Sequence, residues 1–300
     1  MKLGFVSAIL DGWTFEEMMD TAAGLGYECV EAACWPQGKA ERRYAGVSHI
    51  DVDNDSRGYV AHIHETCKKT GVEISALAYY PNTMDGDFQK REDAIRHLKK
   101  VIAFSEKLGI GMVTTFVGRD QTKSVEENLE AFSRIWPPII QYAEEHGVRI
   151  AIENCPMLFG REQWPGGNNL FTSPALWRKM FDMIPSKNFG INYDPSHFVW
   201  QMMDYIQPIY EFRERIFHVH YKDIKVYPQK LKDVGIMAYP LEYMEPKLPG
   251  LGDVDWGRYV SALTDIGYDG FTCVEVEDRA FEADRERILD SLKLSKRYLE

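Results

Sequence analysis

The segment Gly147-Val-Arg-Ile-Ala-Ile-Glu-Asn154 decides the fold of this chain of 300 residues. A glycine that can end a helix is followed by an apolar run typical of a buried strand, and the run closes on a carboxylate. A glycine followed by a β-branched or aromatic run also occurs at Gly26, Gly71, Gly109 and Gly267. Each occurrence predicts a helix that ends at the glycine and a strand that follows it.

The spacing of these glycines indicates parallel strands. The intervals between Gly26, Gly71, Gly109 and Gly147 are 45, 38 and 38 residues, which suits one strand, one helix and two loops. Filling the remaining intervals predicts eight strands, at about 2–7, 27–33, 72–79, 110–117, 148–154, 188–194, 215–221 and 271–276. Eight βα units predict an α/β fold, a single (β/α)8 TIM barrel formed by residues 1–300.

The segments between the strands support helices and one insertion. Capping boxes at Thr14-Phe-Glu-Glu17 and Ser124-Val-Glu-Glu127 predict two helix starts. Apolar residues at helical spacing predict helices at about 88–108 and 281–299. Residues 225–255 carry four prolines between the seventh and eighth strands. We expect a long insertion there, placed as a lid above the barrel mouth or as a surface for a partner.

Composition and charge exclude several classes of protein. Lysine and arginine number 35 against 46 acidic residues, a formal charge of −11, which would repel a nucleic acid backbone. The five cysteines show no disulfide spacing and indicate a reducing compartment. The opening segment MKLGFVSAIL is too short for a membrane span and lacks a clear cleavage site. We therefore expect a cytoplasmic protein without a nucleic acid or membrane partner.

Four predicted strands in the second half end on side chains that bind metals. These residues are Glu153, Asp194, His220 and Glu275. The carboxyl ends of parallel barrel strands converge at one mouth, where such barrels carry their chemistry. Three carboxylates and one imidazole without a thiolate favour one divalent cation, Mn²⁺ or Mg²⁺ first, with Co²⁺, Fe²⁺ or Zn²⁺ also possible.

Each ligand has an alternative interpretation. Glu153 could instead form a structural salt bridge, although a buried carboxylate is costly without a partner. Asp194 could be a turn residue before Pro195, but His197 three positions later favours a functional site.

Two strands carry a second candidate on the same side. His218 precedes His220, and Glu277 follows Glu275. Side chains two positions apart on a strand share a face. We interpret His220 as the ligand because it lies nearer the carboxyl end, and Glu275 because it lies further inside the mouth.

This ligand set suits proton transfer next to a carbonyl group. A cation that grips the carbonyl and hydroxyl of a sugar acidifies the carbon between them and stabilises an enediolate. Glu153 and Glu275 come from strands five and eight, three strands apart, so they can approach a substrate from opposite faces. We interpret both as the catalytic acid and base of an isomerisation or epimerisation.

The loop after the second strand supplies candidate substrate contacts. Glu31 ends that strand, and Trp35 and His49 lie in the loop, where stacking and hydrogen bonding to a sugar are as consistent with the sequence as ordinary packing. A basic group, Lys39, Arg42 and Arg43, could hold a phosphate or carboxylate, although solvated surface charge is the commoner arrangement.

Five stretches resemble the sugar phosphate isomerase/epimerase family of xylose isomerase-like barrels. They are the Glu153 strand, Asp194-Pro-Ser-His197, His220-Tyr-Lys-Asp223, Pro249-Gly-Leu-Gly-Asp-Val-Asp-Trp256 and Gly267-Tyr-Asp-Gly-Phe-Thr-Cys-Val-Glu275. The resemblance covers nearly the whole chain. It implies that the four strand-end residues bind one metal, that the two glutamates transfer protons in ketose 3-epimerases, and that His197 contacts the substrate.

The chain departs from two branches of that family. Ketose 3-epimerases have a substrate-binding arginine shortly after the metal histidine, whereas this chain has Lys222 and Lys225; we assign Lys222 to substrate binding. The endonuclease IV branch carries extra histidines on strands three and four, and here those strand ends read Ala78-Tyr79-Tyr80 and Phe116-Val117-Gly118-Arg119. DNA repair is therefore disfavoured.

The sequence leaves three functions open. The first is a metal-dependent isomerase or epimerase that acts on a keto-sugar or sugar derivative. The second is the catalytic subunit of a 3-keto-glycoside lyase or C-glycoside deglycosidase, working by metal-assisted elimination. The third is a metal-free sugar-binding protein. A carbohydrate ligand follows from all three, and a homo-oligomer or a small partner subunit is compatible with each.

Overall fold

Eight parallel strands close into a barrel in the computed structural model, which describes residues 1–38, 44–158 and 160–300. The described residues form ten strands, eight in the barrel and two (β8 and β9) outside it: β1 Lys2–Val6, β2 Cys29–Ala33, β3 Glu73–Ala78, β4 Met112–Thr115, β5 Arg149–Glu153, β6 Phe189–Tyr193, β7 Ile216–Tyr221, β8 Asp223–Val226, β9 Met244–Lys247 and β10 Phe271–Val274. The barrel order is β1-β10-β7-β6-β5-β4-β3-β2. The predicted TIM barrel is confirmed. Lys39, Arg42 and Arg43 lie outside the described residues.

The helices surround the barrel and alternate with its strands. They are α1 Phe15–Leu25, α2 Arg57–Thr70, α3 Phe88–Lys107, α4 Val125–Glu145, α5 Pro174–Met183, α6 Ser196–Trp200, α7 Gln207–Glu211, α8 Pro228–Val234, α9 Trp256–Asp265 and α10 Arg285–Leu299. Both predicted capping boxes are present. The last helix begins four residues later than predicted because Asp284 caps it. Among the described residues, no helix has the length and hydropathy needed to cross a bilayer.

The glycines that guided the strand count end helices as predicted. Gly26 follows α1 with φ 78° and Gly71 follows α2 with φ 72°. This left-handed conformation carries no steric penalty in glycine, so the chain can leave the helix and turn into the next strand. The repeated glycine therefore sets the alternation of helix and strand.

The expected insertion contains a small structure of its own. β8 and β9 pair as an antiparallel hairpin outside the barrel, and α8 lies between them in sequence. Ile224 and Met244 of this hairpin pack with Trp200 of α6 in a separate apolar cluster. The insertion is thus held to the barrel at the helix that follows β6.

Asp223 ties the segment after β9 to the barrel. Its buried carboxylate accepts hydrogen bonds from the backbone N–H groups of Ile224, Gly250, Gly252 and Val254, at 2.8–3.1 Å, and from Trp256 Nε1 at 2.9 Å. A Cβ atom at Gly252 would lie 2.2 Å from Asp223 Oδ1. The two sequence motifs that contain Asp223 and Trp256 are therefore held together by the Asp223 carboxylate.

We expect Asp223→Ala to lower the free energy of unfolding by about 3 kcal/mol or more, because several buried donors lose their acceptor. Chemical denaturation monitored by circular dichroism would measure the loss. Asp233→Ala, an exposed substitution in α8, should change stability by less than about 0.5 kcal/mol. Equal stability of the two variants would contradict the anchoring role.

Candidate metal centre and active site

The four predicted ligands meet at the carboxyl ends of four neighbouring barrel strands. Glu153 closes β5, Asp194 follows β6, His220 lies in β7, and Glu275 follows β10. One ligand atom from each residue lies within 4.8 Å of the others. Donor atoms on opposite sides of one Mg²⁺-sized ion are about 4.2 Å apart, twice a metal–oxygen bond. The spacing therefore fits a single cation.

Three of the side-chain atoms expected to bind a metal make no hydrogen bonds to the described residues. Glu153 Oε1, Asp194 Oδ2 and His220 Nδ1 are buried and make no hydrogen bond in the described part of the chain; their contacts are ion pairs, the shortest of which joins Asp194 Oδ2 to Lys222 Nζ at 3.1 Å. Buried polar atoms without a partner are costly and uncommon in folded proteins. Because these atoms converge and include two carboxylate oxygens, a divalent cation would satisfy all three at once.

Lys222 is the fixed positive charge of this cluster. Its Nζ lies 2.7 Å from Glu275 Oε2, 3.1 Å from Asp194 Oδ2 and 3.7 Å from Glu153 Oε1. Burial opposes the ammonium charge, but the surrounding carboxylates outweigh it and raise the pKa of Lys222 well above its ordinary value. Lys222 therefore compensates part of the negative charge of Asp194, Glu153 and Glu275.

Glu31 fixes the orientation of the His220 ring. His220 Nε2 donates to Glu31 Oε2 at 2.7 Å, which leaves Nδ1 toward Glu153 Oε1 at 3.7 Å and Glu275 Oε2 at 3.3 Å. Burial alone would raise the pKa of Glu31, but His220 lowers it to about 2. Such a carboxylate partner behind a metal-binding histidine fixes the ring and strengthens it as a ligand.

The remaining hydrogen bonds of Glu31 come from residues that the sequence did not identify as part of the site. Tyr80 and Thr114 donate to Glu31 Oε1, and Asn192 Nδ2 donates to Tyr80 Oη at 3.1 Å. The signal available in the sequence was Glu31 itself, a carboxylate inside the apolar run Cys29–Ala33. Glu31 was expected to contact substrate; its buried carboxylate lies behind His220, and Glu31 is not among the residues that line the cavity above the cluster.

We expect Glu31→Gln to lower the affinity for a divalent cation by about 10- to 100-fold, because His220 loses its charged acceptor. Isothermal titration calorimetry of the metal-free protein with Mn²⁺ would measure the change in affinity. Glu28→Gln, at an exposed position just before β2, is the matched control and should bind as the wild type does. Unchanged affinity in Glu31→Gln would refute the orienting role.

The two members of each candidate pair, His218 and His220 on β7 and Glu275 and Glu277 after β10, have different surroundings. His218 is buried below His220, and its ring nitrogens lie 3.0 Å from Asn192 Oδ1 and 3.0 Å from Ser75 Oγ. Glu277 Oε2 lies 3.3 Å from Lys222 Nζ, while Glu275 belongs to the four-ligand group. His218 also forms a second group of possible metal ligands with Glu31 and His220, so the choice of His220 and Glu275 stays a prediction.

His197 stands beside the cluster on α6. Its Nε2 lies 3.3 Å from Asp194 Oδ2 and 3.6 Å from Glu153 Oε1, and Trp200 Nε1 donates to its Nδ1 at 3.4 Å. Cys155 lies close enough to form a further group of possible ligands with Glu153 and His197. His197 therefore points at the place where a substrate bound to the cluster would lie.

A cavity of about 340 Å³ opens above the cluster and brings some of the predicted contacts together. Trp35, His197 and Lys222 line it together with Glu153 and Glu275. His49 does not point into it, because its ring nitrogens lie 3.0 Å from Ser7 Oγ and 3.1 Å from the Leu10 carbonyl oxygen. His49 was expected to contact substrate, whereas its ring contacts the segment that follows β1 and is not among the residues that line the cavity.

The fold and the site define a parallel α/β barrel with a carboxylate and histidine centre at its mouth. The chain belongs to the xylose isomerase-like TIM barrel family, whose sequence model matches residues 19–298. It is 24% identical to the uncharacterized protein YfiH of Bacillus subtilis, over 93% of both chains. It is 21% identical to an inosose dehydratase of Geobacillus thermodenitrificans, over 92% of this chain and 90% of that protein.

Solved structures show the same fold at low sequence identity. The IolI protein, determined with a bound zinc atom, has a TM-score of 0.72 at 18% identity and is matched over 98% of its chain, covering 100% of this one. The 3-keto-D-glucoside 4-epimerase YcjR of E. coli has a TM-score of 0.69 at 16% identity, with 99% of both chains covered. The inosose dehydratase and the keto-glucoside epimerase are both named as enzymes.

Proposed function

We propose that the protein is a divalent-metal-dependent isomerase or epimerase that acts on a keto-sugar or sugar derivative through an enediolate. The observation that carries the proposal is the convergence of Glu153 Oε1, Asp194 Oδ2 and His220 Nδ1, all buried without a hydrogen-bond partner in the described chain. When bound, a cation such as Mn²⁺ or Mg²⁺ would polarise the substrate carbonyl and neutralise the charge that develops on it.

Glu153 and Glu275 would exchange the proton at the carbon next to the carbonyl. Their strands, β5 and β10, are separated in the barrel by β6 and β7, so the two carboxylates can act on opposite faces of a substrate. One removes the proton and the other returns one to the opposite face, which inverts the carbon. Lys222 would hold a substrate oxygen, and His197 would donate to a hydroxyl.

Solvent deuterium exchange tests this function without knowledge of the natural substrate. The protein, loaded with Mn²⁺, is incubated in D₂O with fructose, psicose and methyl 3-keto-β-glucopyranoside, and each sugar is examined by NMR. We expect deuterium at the carbon next to the carbonyl of at least one sugar, with a change of configuration there. Absence of exchange with every sugar and every divalent cation would overturn the proposal.

Elimination is the second candidate function, as in a 3-keto-glycoside lyase or C-glycoside deglycosidase. The dehydratase relative supports it, because loss of water next to a ketone starts from the same proton abstraction. Lys222, buried against Glu275, could donate a proton to the leaving oxygen. Release of aglycone from a 3-keto-glucoside, with formation of an unsaturated ketone, would distinguish elimination from epimerisation.

A metal-free sugar-binding protein is the third option. Elemental analysis of protein purified without chelators separates it from the two enzymes. A content near one divalent ion per chain is expected from the enzymatic proposals, and a content far below one would favour the binding protein.

A further inference from the structure

Two segments from different βα units meet at the cavity above the cluster. The first is the loop that follows β5, of which Met157 and Leu158 line the cavity. The second is the insertion between β7 and β10, of which Leu241, Met244 and Pro246 line it. Both segments therefore form part of the wall that a molecule passes on its way to the four ligands.

The two ends of the loop after β5 are fixed to the barrel. Asn169 Nδ2 donates to the backbone carbonyl oxygens of Glu153 and Cys155, at 3.0 and 2.8 Å, and so joins the two ends of the loop. Arg119 Nη1 donates to the carbonyl oxygen of Gly166 at 2.8 Å, which holds the loop to the segment after β4. The part of the loop between these anchors projects beyond them, so it can move while the ends stay in place.

This projecting part is tied across to the insertion. Trp164 Nε1 donates to the backbone carbonyl oxygen of Met237 at 2.9 Å. Arg161 forms an ion pair with Glu242, and its guanidinium lies 5.4 Å from the centroid of the Tyr239 ring. We name these contacts of Arg161 and Trp164 the latch. A partly exposed ion pair and a single hydrogen bond each contribute little free energy, so the latch can open while the barrel stays folded.

We propose that the loop after β5 and the insertion form a gate over the cavity, and that the latch holds this gate closed. A gate of this kind keeps bulk water away from a bound molecule and sets the rate at which ligands enter and leave. The inference concerns access to the cavity, and it does not depend on which reaction takes place there.

Cys155 reports the state of the gate, because its half-buried side chain lines the cavity. Alkylation by N-ethylmaleimide, followed for each cysteine by mass spectrometry, measures how often the thiol becomes reachable. Cys34 and Cys273 are fully buried, so their labelling in the same sample measures global unfolding. Cys67, half-buried on α2 and outside the cavity lining, measures the reactivity of the reagent. We expect Cys155 of the wild type to label more slowly than Cys67.

Two substitutions open the latch from the side of the loop. Arg161→Met removes the ion pair, and Trp164→Phe removes the hydrogen-bond donor but keeps an aromatic ring. We expect each to raise the alkylation rate of Cys155 by about threefold to fivefold, and the double variant by about tenfold or more, while the fully buried thiols stay unlabelled. Arg178→Met removes an exposed ion pair with Glu211, between α5 and α7. This matched control should label as the wild type does.

Glu242→Ala removes the same ion pair from the insertion and should raise the rate by a factor similar to that of Arg161→Met. Wild-type labelling of Cys155 in every latch variant, or an equal rise in Arg178→Met, would overturn the gate. Labelling of Cys155 as fast as that of Cys67 in the wild type would overturn it as well, because the cavity would then stand open. The same holds if every latch variant also labels its fully buried thiols, since the rise would then report unfolding. Absence of deuterium exchange together with the expected labelling would reject the proposed function and support the gate.

Discussion

Glu275→Gln is expected to lower metal-dependent proton exchange by roughly 10²- to 10⁴-fold while the barrel stays folded. The amide keeps the shape of the side chain and an oxygen that can still contact a cation, but it cannot accept the substrate proton. Glu153→Gln should have an effect of similar size, because the proposed inversion needs one carboxylate on each face. Deuterium incorporation and bound metal content are measured on the same samples.

The neighbouring residue Glu277 makes the control for this prediction. Glu277→Gln removes the same charge two positions later, from a side chain that is 31% exposed and lies outside the four-ligand group. Exchange in Glu277→Gln should fall far less than in Glu275→Gln. If both variants lose exchange equally, or if Glu275→Gln keeps full activity with metal bound, Glu275 does not transfer the proton.

The fold could be predicted from the sequence because the pattern that indicates it is short and recurs along the chain. Each helix that ends at a glycine such as Gly26 or Gly71 is followed by an apolar run, and repetition of that order fixes the number and direction of the strands. The start of α10 was predicted four residues early because Phe281 extends the apolar periodicity, whereas the Asp284 cap begins the helix. Periodicity locates helices better than it locates their first residue.

The four-residue cluster could also be predicted from local sequence signals. The residues that support it, such as Glu31, could not. A carboxylate at the end of a buried strand, such as Glu153, needs a cation or a partner, and this argument applies to each ligand separately. The same argument applies to Glu31, but its partner His220 lies 189 residues away. Only the closed barrel, which brings the second and seventh strands to one mouth, shows that Glu31 contacts His220.

Lys222→Met is expected to make the stability of the protein depend on a divalent cation. The ammonium compensates Asp194 and Glu275 within 3.1 Å, and both carboxylates are buried or nearly so. Breaking a buried ion pair by removing one partner typically costs about 3–5 kcal/mol. The metal-free variant should therefore be less stable by about that amount.

The affinity for a cation, unlike the stability of the metal-free protein, should rise in Lys222→Met. Without the competing ammonium, the carboxylates hold a cation more tightly, and a cation that binds only the folded state at 100 times its Kd restores about 2.7 kcal/mol. We expect Mn²⁺ to raise the Tm of Lys222→Met more than that of the wild type, while exchange activity falls because the proposed mechanism assigns Lys222 to a substrate oxygen.

Lys225→Met is the matched control for this experiment. Lys225 pairs with Asp253 at 2.6 Å on the exposed side of the hairpin, and such surface pairs contribute about 0–1 kcal/mol. Thermal unfolding of both variants, with EDTA and with Mn²⁺, separates the two positions. An equal response of the variants to Mn²⁺ would show that Lys222 and the cation do not share the same carboxylates, because the buried ammonium is the feature that distinguishes them.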